Sequence, residues 1–381
     1  MIKILKNANI YAPEPIGQQD ILVLVDKIAL IADSINPPTG MGEVEVYDLG
    51  GATVIPGLID QHVHIIGGGG EGGPATRTPE IQLSQLTTAG VTTVVGCLGT
   101  DATTRHMNSL LAKARALELE GITTFIYTGA YEVPTRTITD NVRNDLVLID
   151  KVVGTGEIAI SDHRSAQPEL MELRRLAAEV RVGGMLGGKP GLFHFHVGAG
   201  PRGIQPIFDI LETTELPIQM FTPTHMNRTR ELLEQGALFA KRGGTVDITA
   251  GPKAHLGVLA LVNELGVSID NVTISSDGNG SMPRFDADGR LIGLGVGSVH
   301  TDMETMRNLI FQGGVPLQEA LKILTTNVAR NLQLVGRKGC IAVGADADLV
   351  VLTRDLQVDQ VFARGHLMVK AGQAVVKGTF E

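Results

Sequence analysis

The chain has 381 residues, of which 43% are hydrophobic and 19% are charged, a balance typical of globular proteins and not of disordered ones. Its formal net charge of −9 at pH 7 argues against nucleic acid or anionic membranes as partners, because both require a concentrated basic surface. The two cysteines, Cys97 and Cys340, are too few for a disulfide framework or a cysteine-based metal site, and they favour a reducing compartment.

The two ends of the chain carry strand-like alternation without helical segments. In the first part, residues 1–52, the run 22–25 (LVLV) is an example, and in the last part, residues 335–381, the runs 347–352 and 360–363 are others. We expect both ends to combine into one small β-sandwich-like domain. The amino terminus lacks a signal-peptide pattern and no uncharged apolar run reaches about 18 residues, so the expected location is the cytoplasm.

Between these ends, from residue 53 onward, short β-rich runs alternate with amphipathic helical segments, which is typical of βα units in a parallel sheet. The predicted strands are 53–64, 91–98, 123–128, 152–160, 191–197, 217–222, 245–249 and 272–276. The predicted helices are 79–89, 103–120, 168–182, 204–213, 227–242, 253–265, 302–311 and 317–332. This pattern predicts an α/β protein in which residues 53–334 form a (β/α)₈ TIM barrel.

Five potential metal ligands stand at or just beyond the carboxyl ends of these strands. His62 and His64 end the first, His196 ends the fifth, His225 follows the sixth and Asp277 follows the eighth. Two histidines two residues apart on a strand point to the same side, so the first pair can share one ion. A lone histidine at such a place is more often structural, but catalytic groups of TIM barrels gather at this end. Imidazole with carboxylate favours zinc.

These residues and their surroundings resemble the amidohydrolase superfamily and, within it, the isoaspartyl dipeptidases, over essentially the whole chain. The superfamily-level motifs are 56–64 (PGLIDQHVH) and 275–281 (SSDGNGS). The more specific segments are 67–78, 128–131 (TGAY), 160–165 (ISDHRS) and 223–228 (PTHMNR). The resemblance implies hydrolysis of the isopeptide bond of β-aspartyl dipeptides by a hydroxide that bridges two metal ions. It also implies a homo-oligomer, an octamer in the family pattern.

The resemblance assigns His62, His64 and Asp277 to the more buried metal ion, and His196 and His225 to the second. Where the family usually has a carboxylated lysine that bridges the metals, this chain has Glu157. A glutamate also brings one negative charge and two oxygens, so we expect it to bridge directly. The alternative is that Glu157 is a solvated residue and that the site holds one metal ion.

The remaining roles concern proton transfer and substrate recognition. The resemblance implies that Asp277 accepts and returns the proton, and that the phenol of Tyr131 stabilises the developing oxyanion. It assigns the recognition of the two charged ends of the dipeptide to six residues: Glu71 for the α-amino group, Gly69, Thr100 and Ser281 for the α-carboxylate, and Arg164 and Arg228 for the carboxylate of the departing residue. Placed by sequence alone, the arginines are equally compatible with structural salt bridges, and the glycine run with a surface loop.

Two other functions stay open at this point. A cyclic amidase of the dihydroorotase or hydantoinase type explains the histidines but leaves Glu71, Arg164 and Arg228 without a role. An inactive scaffold homologue has no physical need for five convergent metal-binding groups. His194 is a candidate for a partner behind the metal ligands or for a misassigned ligand, since it faces the same side of its strand as His196.

Overall fold

The structure, a computed structural model, describes residues 2–38, 40, 42–285 and 291–381. Its strands, in chain order, are β1 (Ile2–Tyr11), β2 (Pro15–Leu24), β3 (Lys27–Ala32), β4 (Val44–Asp48), β5 (Thr53–Pro56), β6 (Leu58–Val63), β7 (Val91–Gly96), β8 (Thr123–Thr128), β9 (Val152–Ile160), β10 (Leu192–Val197), β11 (Phe221–Thr224), β12 (Val246–Thr249), β13 (Val272–Ser275), β14 (Ser281–Phe285), β15 (Leu291–Val296), β16 (Leu349–Leu352), β17 (Val358–Ala363), β18 (His366–Lys370) and β19 (Gln373–Ala374).

The α-helices, again in chain order, are α1 (Leu83–Thr88), α2 (Met107–Glu120), α3 (Val142–Leu148), α4 (Leu170–Gly187), α5 (Gln205–Glu212), α6 (Arg230–Lys241), α7 (Ala254–Leu259), α8 (Thr301–Phe311), α9 (Leu317–Lys322) and α10 (Thr326–Asn331). A π-helical turn, Ala260–Glu264, continues α7. No helix in the described part of the chain is long and apolar enough to cross a bilayer.

Strands from both ends of the chain lie in one nine-stranded sheet. Its order is β19-β18-β17-β16-β5-β1-β2-β3, with β4 paired to β1. The contact between the two ends is the antiparallel pairing of β16 with β5, in which Val350 is opposite Ile55. The inner face of this sheet packs a cluster that includes Ile10, Val54 and Phe362. Alternating apolar residues therefore bury one face of the sheet, as the sequence pattern predicts.

The middle of the chain forms the parallel strands. One sheet has the order β11-β10-β9-β8-β7-β6, and a second parallel pair is formed by β12 and β13. The second pair lies between the two edges of the first sheet: Met226, after β11, donates its N–H to Asp247 O of β12, and Val63 of β6 forms a bridge with Gly278, after β13. Nearly every side chain in these strands is buried, as expected for parallel strands covered by helices.

The structure divides the predicted first strand into two. β5 belongs to the nine-stranded sheet and β6 to the parallel sheet, and Gly57 stands between them. A Cβ at Gly57 would lie 2.2 Å from Oγ1 of Thr92, and its N–H donates to Asp348 O at 2.8 Å. The close approach of β7 therefore requires glycine where the chain passes from one sheet to the other.

Other predicted bounds also differ. The predicted strand 217–222 begins as a 3₁₀ turn, Ile218–Met220, and becomes extended only in β11. The predicted helix 317–332 is two helices, α9 and α10, separated at Thr325, whose φ of −131° is not helical. The hairpin of β14 and β15 was not predicted, and neither was α3, which begins after Asn141 accepts a hydrogen bond from Asn144 N.

Candidate active site

The predicted metal ligands meet at the carboxyl ends of the parallel strands. His62 lies in β6 and His196 in β10, His64 and His225 directly follow β6 and β11, and Asp277 is the second residue after β13. His225 and Asp277 have φ angles of +64° and +53°. Such left-handed backbone is uncommon for residues other than glycine and is found where side chains must be turned into a site.

Glu157, in β9, lies at the centre of this cluster with its side chain buried. Its Oε2 lies 3.0 Å from Nδ1 of His196, 3.5 Å from Nε2 of His62 and 3.6 Å from Nε2 of His225. Its other oxygen, Oε1, lies 3.5 Å from Nε2 of His64. One carboxylate therefore faces four histidines, which is the placement that a bridging group requires. It is not a solvated residue at a strand start.

Two sets of side chains in the described part of the chain can each hold a cation. They are His62, His64, Cys97 and Glu157 in one set, and Glu157, His196 and His225 in the other. Nε2 of His62 and Nε2 of His225 are buried and have no hydrogen-bond partner among the residues that the structure describes. Because buried polar atoms are normally paired, these two nitrogens fit the ligand atoms of a divalent cation.

The charges in the cluster also suit cations. Asp277 Oδ1 lies 3.0 Å from Nε2 of His64 and 3.6 Å from Nε2 of His62. Burial raises the pKa of Asp277, but its hydrogen bond with His64 and the charges of His62 and His225 outweigh burial and bring the pKa to about 2. Burial likewise opposes ionisation of Glu157, yet the charges of the surrounding histidines hold its pKa well below the usual value. Both carboxylates are therefore anionic at neutral pH.

Tyr131 follows β8 and closes one side of the cluster. Its hydroxyl lies 2.7 Å from Nδ1 of His196. Burial and the nearby charge of Glu157 hold the pKa of Tyr131 well above its usual value. The phenol therefore keeps its proton and can act as a hydrogen-bond donor.

The predicted substrate-recognition residues lie outside the histidine cluster. Oε1 of Glu71 accepts hydrogen bonds from Thr100 Oγ1 and from Arg164 Nη1, both at 3.1 Å. Gly69, with a φ of +72°, approaches Ser281 so closely that a Cβ added to it would lie 3.4 Å from the Cβ of Ser281. The carboxylate of Glu71 and the guanidinium of Arg164 therefore lie side by side next to the histidine cluster.

One open cavity of about 1240 Å³ contains nearly all of these groups. The predicted site residues that line it are His64, Gly69, Glu71, Thr100, Tyr131, Glu157, Arg164, His196, His225, Arg228, Asp277 and Ser281. His62 is completely buried behind this lining. The structure therefore brings every predicted site residue to one place.

Three further residues belong to the site: Asp162 and Cys97, which had no predicted role there, and His194, for which two roles were left open. Asp162 accepts hydrogen bonds from Arg164 Nε at 2.9 Å and Nη2 at 2.8 Å. Cys97 lies with Sγ 3.8 Å from Nδ1 of His64. His194 places Nε2 2.7 Å from Nδ1 of His62 and stacks on Tyr127, so it supports a ligand from behind. The signal available was position: Asp162 stands two residues beyond the predicted strand 152–160, and Cys97 stands at the carboxyl end of the predicted strand 91–98.

Comparison with known proteins adds three kinds of similarity. The model of the amidohydrolase family matches residues 53–368. The crystal structure of β-aspartyl dipeptidase from Fervidobacterium islandicum AW-1, in complex with the β-Asp-Leu dipeptide, is 51% identical, covers 98% of both chains and has a TM-score of 0.91. A second crystal structure of that enzyme is 50% identical, with a TM-score of 0.90. A D-hydantoinase, at 18% identity and a TM-score of 0.72, shares the fold alone.

A curated relative, adenine deaminase of Mesorhizobium japonicum, is 25% identical over 392 residues, which covers 96% of this chain. The chain spans 56% of the length of that relative. The family match extends over most of the chain, and the dipeptidase structures match it almost from end to end. The chain therefore belongs to the amidohydrolase family, in its β-aspartyl dipeptidase group.

Proposed function

We propose that this chain is a metal-dependent dipeptidase that hydrolyses the isopeptide bond of β-aspartyl dipeptides. The observation that carries the proposal is the cavity in which a cluster fit for cations, around Glu157, adjoins the ion pair of Glu71 and Arg164. A β-aspartyl dipeptide has an ammonium and two carboxylates free, so it requires both kinds of charge in its binding site. The 51% identity to a β-aspartyl dipeptidase supports the same substrate class.

Two divalent ions, most favourably Zn²⁺, would be held by this cluster. His62, His64 and Asp277 would hold the more buried ion, His196 and His225 the other, and Glu157 would contribute one oxygen to each. When bound, such ions supply a hydroxide at neutral pH and polarise the amide carbonyl. The unpaired Nε2 atoms of His62 and His225 support this assignment.

Asp277 is the group that moves the proton. With its pKa at about 2 it is ionised at neutral pH, and Oδ1 faces the cavity beside His64. It accepts the proton of the attacking hydroxide and returns it to the departing amine. Return of that proton is favoured because the amine that leaves is far more basic than the carboxylate.

Tyr131 acts on the oxygen of the scissile carbonyl. Its phenol retains its proton because burial and the charge of Glu157 raise its pKa. The hydroxyl lines the cavity, where it can donate a hydrogen bond to the oxygen as negative charge develops.

The predicted substrate-recognition residues bind and orient the dipeptide. Glu71 binds the α-ammonium, and Gly69, Thr100 and Ser281 bind the α-carboxylate. Arg164 and Arg228 bind the carboxylate of the departing residue, for which the planar guanidinium is well suited. The pair between Glu71 and Arg164, at 3.1 Å, is exchanged for contacts with a substrate that carries both charges.

The parallel strands and the nine-stranded sheet form two structural units in this proposal. Within residues 53–334, β6 to β13 form one closed (β/α)₈ barrel, and residues 1–52 and 335–381 form a separate small β domain to which β5 (Thr53–Pro56) also contributes. The bridge from Val63 to Gly278 and the hydrogen bond from Met226 to Asp247 support closure. We further propose a cytoplasmic homo-oligomer, an octamer in the family pattern.

Hydrolysis of β-Asp-Leu and of α-Asp-Leu by the purified protein, with an Asp277→Asn variant in parallel, tests the function. We expect release of leucine from the β-linked peptide alone, and loss of that activity in the variant. Hydrolysis of hydantoin in preference to β-Asp-Leu would replace the proposal with a cyclic amidase. Bound metal without hydrolysis of any amide would point to an inactive homologue.

A further inference from the structure

The side chain of Asp162, which is 6% exposed, lies between the histidine cluster and the two arginines. Its Oδ1 accepts hydrogen bonds from Arg164 N and Nε, both at 2.9 Å. Its Oδ2 accepts from Arg164 Nη2 at 2.8 Å, lies 3.1 Å from Nε2 of His196 and lies 3.7 Å from Arg228 Nη1. One carboxylate thus contacts a candidate metal ligand and both candidate carboxylate-binding arginines.

The backbone holds Asp162 in this place. β9 ends at Ile160, and Ser161, with a φ of +53°, turns the chain. The carbonyl oxygen of Ser161 accepts a hydrogen bond from Gly200 N at 2.8 Å. The Ser161 hydroxyl donates a hydrogen bond to Gly203 O at 2.7 Å. A Cβ at Gly198 would lie 2.5 Å from the Cβ of Asp162. The loop after β10 is therefore packed directly against Asp162 and fixes it.

The two nitrogens of His196 have different surroundings. Nδ1 faces the histidine cluster, where it lies 3.0 Å from Oε2 of Glu157 and 2.7 Å from the hydroxyl of Tyr131. Nε2 faces Arg164 Nη2 at 3.1 Å, Arg228 Nη1 at 3.2 Å and Asp162. Guanidinium groups only donate hydrogen bonds, so the two arginines alone favour an unprotonated Nε2 and a proton on Nδ1. In that tautomer Nδ1, the nitrogen on the side of Glu157, has no lone pair for a metal ion.

Asp162 reverses this preference, because it is the acceptor beside Nε2. A proton on Nε2 is donated to Oδ2 of Asp162, and the lone pair of Nδ1 is then left for a cation. The same carboxylate balances the charge of the two guanidinium groups. We infer that Asp162 is a positioning residue that sets the tautomer of His196 and thereby the affinity of the second metal ion, an inference that rests on the proposed metal-dependent function.

The test measures zinc affinity by competition with a chromophoric chelator. Asp162→Asn is expected to bind one of two zinc ions about 10–100-fold more weakly than the wild type. The matched control uses Asp145, a carboxylate in α3 whose side chain is also buried and that lies against the carboxyl end of β8. It accepts hydrogen bonds from Thr128, Ile138 and Thr139, and the control variant is Asp145→Asn. It is expected to lower thermal stability and leave zinc affinity unchanged. Equal zinc affinity of Asp162→Asn and wild type would overturn the inference.

A double variant separates positioning from a merely structural role. Arg228→Gln in the Asp162→Asn background removes one of the two donor-only neighbours of Nε2, so it is expected to recover part of the lost zinc affinity. No recovery would contradict the tautomer argument.

Should the variants not fold, ¹⁵N spectra of the histidines in zinc-loaded wild type decide the matter. A proton on Nε2 of His196, assigned with His196→Gln, supports the inference, and a proton on Nδ1 overturns it. These readouts need no peptide, so they stand apart from a failure of the proposed hydrolysis.

Discussion

At the scale of single residues, the site is organised by carboxylates that each serve several cationic or proton-donating neighbours. Glu157 faces four histidines, and Asp162 contacts two arginines and one histidine. A carboxylate has two oxygens with about four lone pairs, so it can satisfy several donors or ions at once. Removal of one such group changes several neighbours together, and conservative substitutions that keep the shape are the informative ones.

Glu71→Gln tests recognition of the substrate ammonium. The amide keeps the size of the side chain and removes its charge, so a charge-assisted hydrogen bond of about 1.5–3 kcal/mol is lost. We expect kcat/KM for β-Asp-Leu to fall by roughly 10–100-fold, mostly through KM. A substrate in which the α-amino group is acetylated should show no difference between the two proteins. An equal loss with both substrates would exclude ammonium recognition.

Tyr131→Phe tests stabilisation of the oxyanion. The hydroxyl contacts His196 in the structure, and loss of one donor of this kind costs about 100–1000-fold in kcat. We therefore expect kcat to fall within that range while KM changes little. Steady-state kinetics with β-Asp-Leu measure this, and metal content checks that His196 still binds its ion. A variant with unchanged kcat and full metal content would remove Tyr131 from the mechanism.

At the scale of elements, the passage from β5 to β6 determines how the two main sheets meet. Gly57 is packed against Oγ1, Cγ2 and Cβ of Thr92, all within 3 Å of an added Cβ. These atoms belong to a β-branched side chain on a buried strand, so they cannot move aside easily. Gly57→Ala should therefore destabilise the protein by about 1–3 kcal/mol.

Thermal or urea unfolding measures the effect of Gly57→Ala, and Gly293→Ala is its control. Gly293 also lies next to a strand partner, but no atom of the described residues lies within 4 Å of a Cβ added there. We expect the control to remain close to wild type. Equal stability of both variants would show that β6 and β7 adjust without cost.

The elements around the site differ in how well the sequence predicts them. β8 and β9 begin and end where the short β-rich runs predict, because both are buried parallel strands bounded by turns. His62, His64, His196, His225 and Asp277 were recognisable because each stands at or just beyond such a strand. The hairpin of β14 and β15 was missed, since glycine at 293, 295 and 297 is a turn signal more often than a strand signal.

Contacts between residues that are far apart in the sequence could not be predicted from the sequence. Nothing local predicts that Glu71 pairs with Arg164, or that Gln61 in β6 donates to Asp247 in β12 at 2.6 Å. Asp162 was visible in the ISDHRS segment, but its role depends on which nitrogen of His196 it meets. These contacts depend on how strands and loops that are distant in the sequence pack together, which sequence spacing does not specify.

At the scale of the whole molecule, a buried charge network joins the nine-stranded sheet to the parallel strands. Lys338 is 2% exposed, forms an ion pair with Asp346 at 2.9 Å and with Asp348, and donates to Oγ1 of Thr123 in β8 at 2.6 Å. Removal of one partner of a buried ion pair leaves uncompensated charge and costs about 3–5 kcal/mol. We expect a loss of this size from Lys338→Met.

The same network predicts a pH dependence. Burial raises the pKa of Asp346, but the charge of Lys338 and the hydrogen bond with Lys27 outweigh it and lower the pKa below the usual value. A depressed carboxyl pKa stabilises the fold above the unfolded-state pKa, and this stability is lost as the pH falls through the folded-state pKa. In Lys338→Met that benefit is reduced, so the stability difference from wild type should shrink as the pH is lowered. A difference that is constant from neutral to acid pH would contradict this.

The central claim is that Glu157 joins two metal ions in one centre, and the most direct measurement is the metal content of wild type and Glu157→Ala after equilibration with zinc. Glu157 is the member shared by both candidate cation sets, so the wild type should hold about two ions per chain and the variant one or fewer. Hydrolysis of β-Asp-Leu should fall together with the metal content. One ion per wild-type chain, or two ions and normal hydrolysis in Glu157→Ala, would contradict the account.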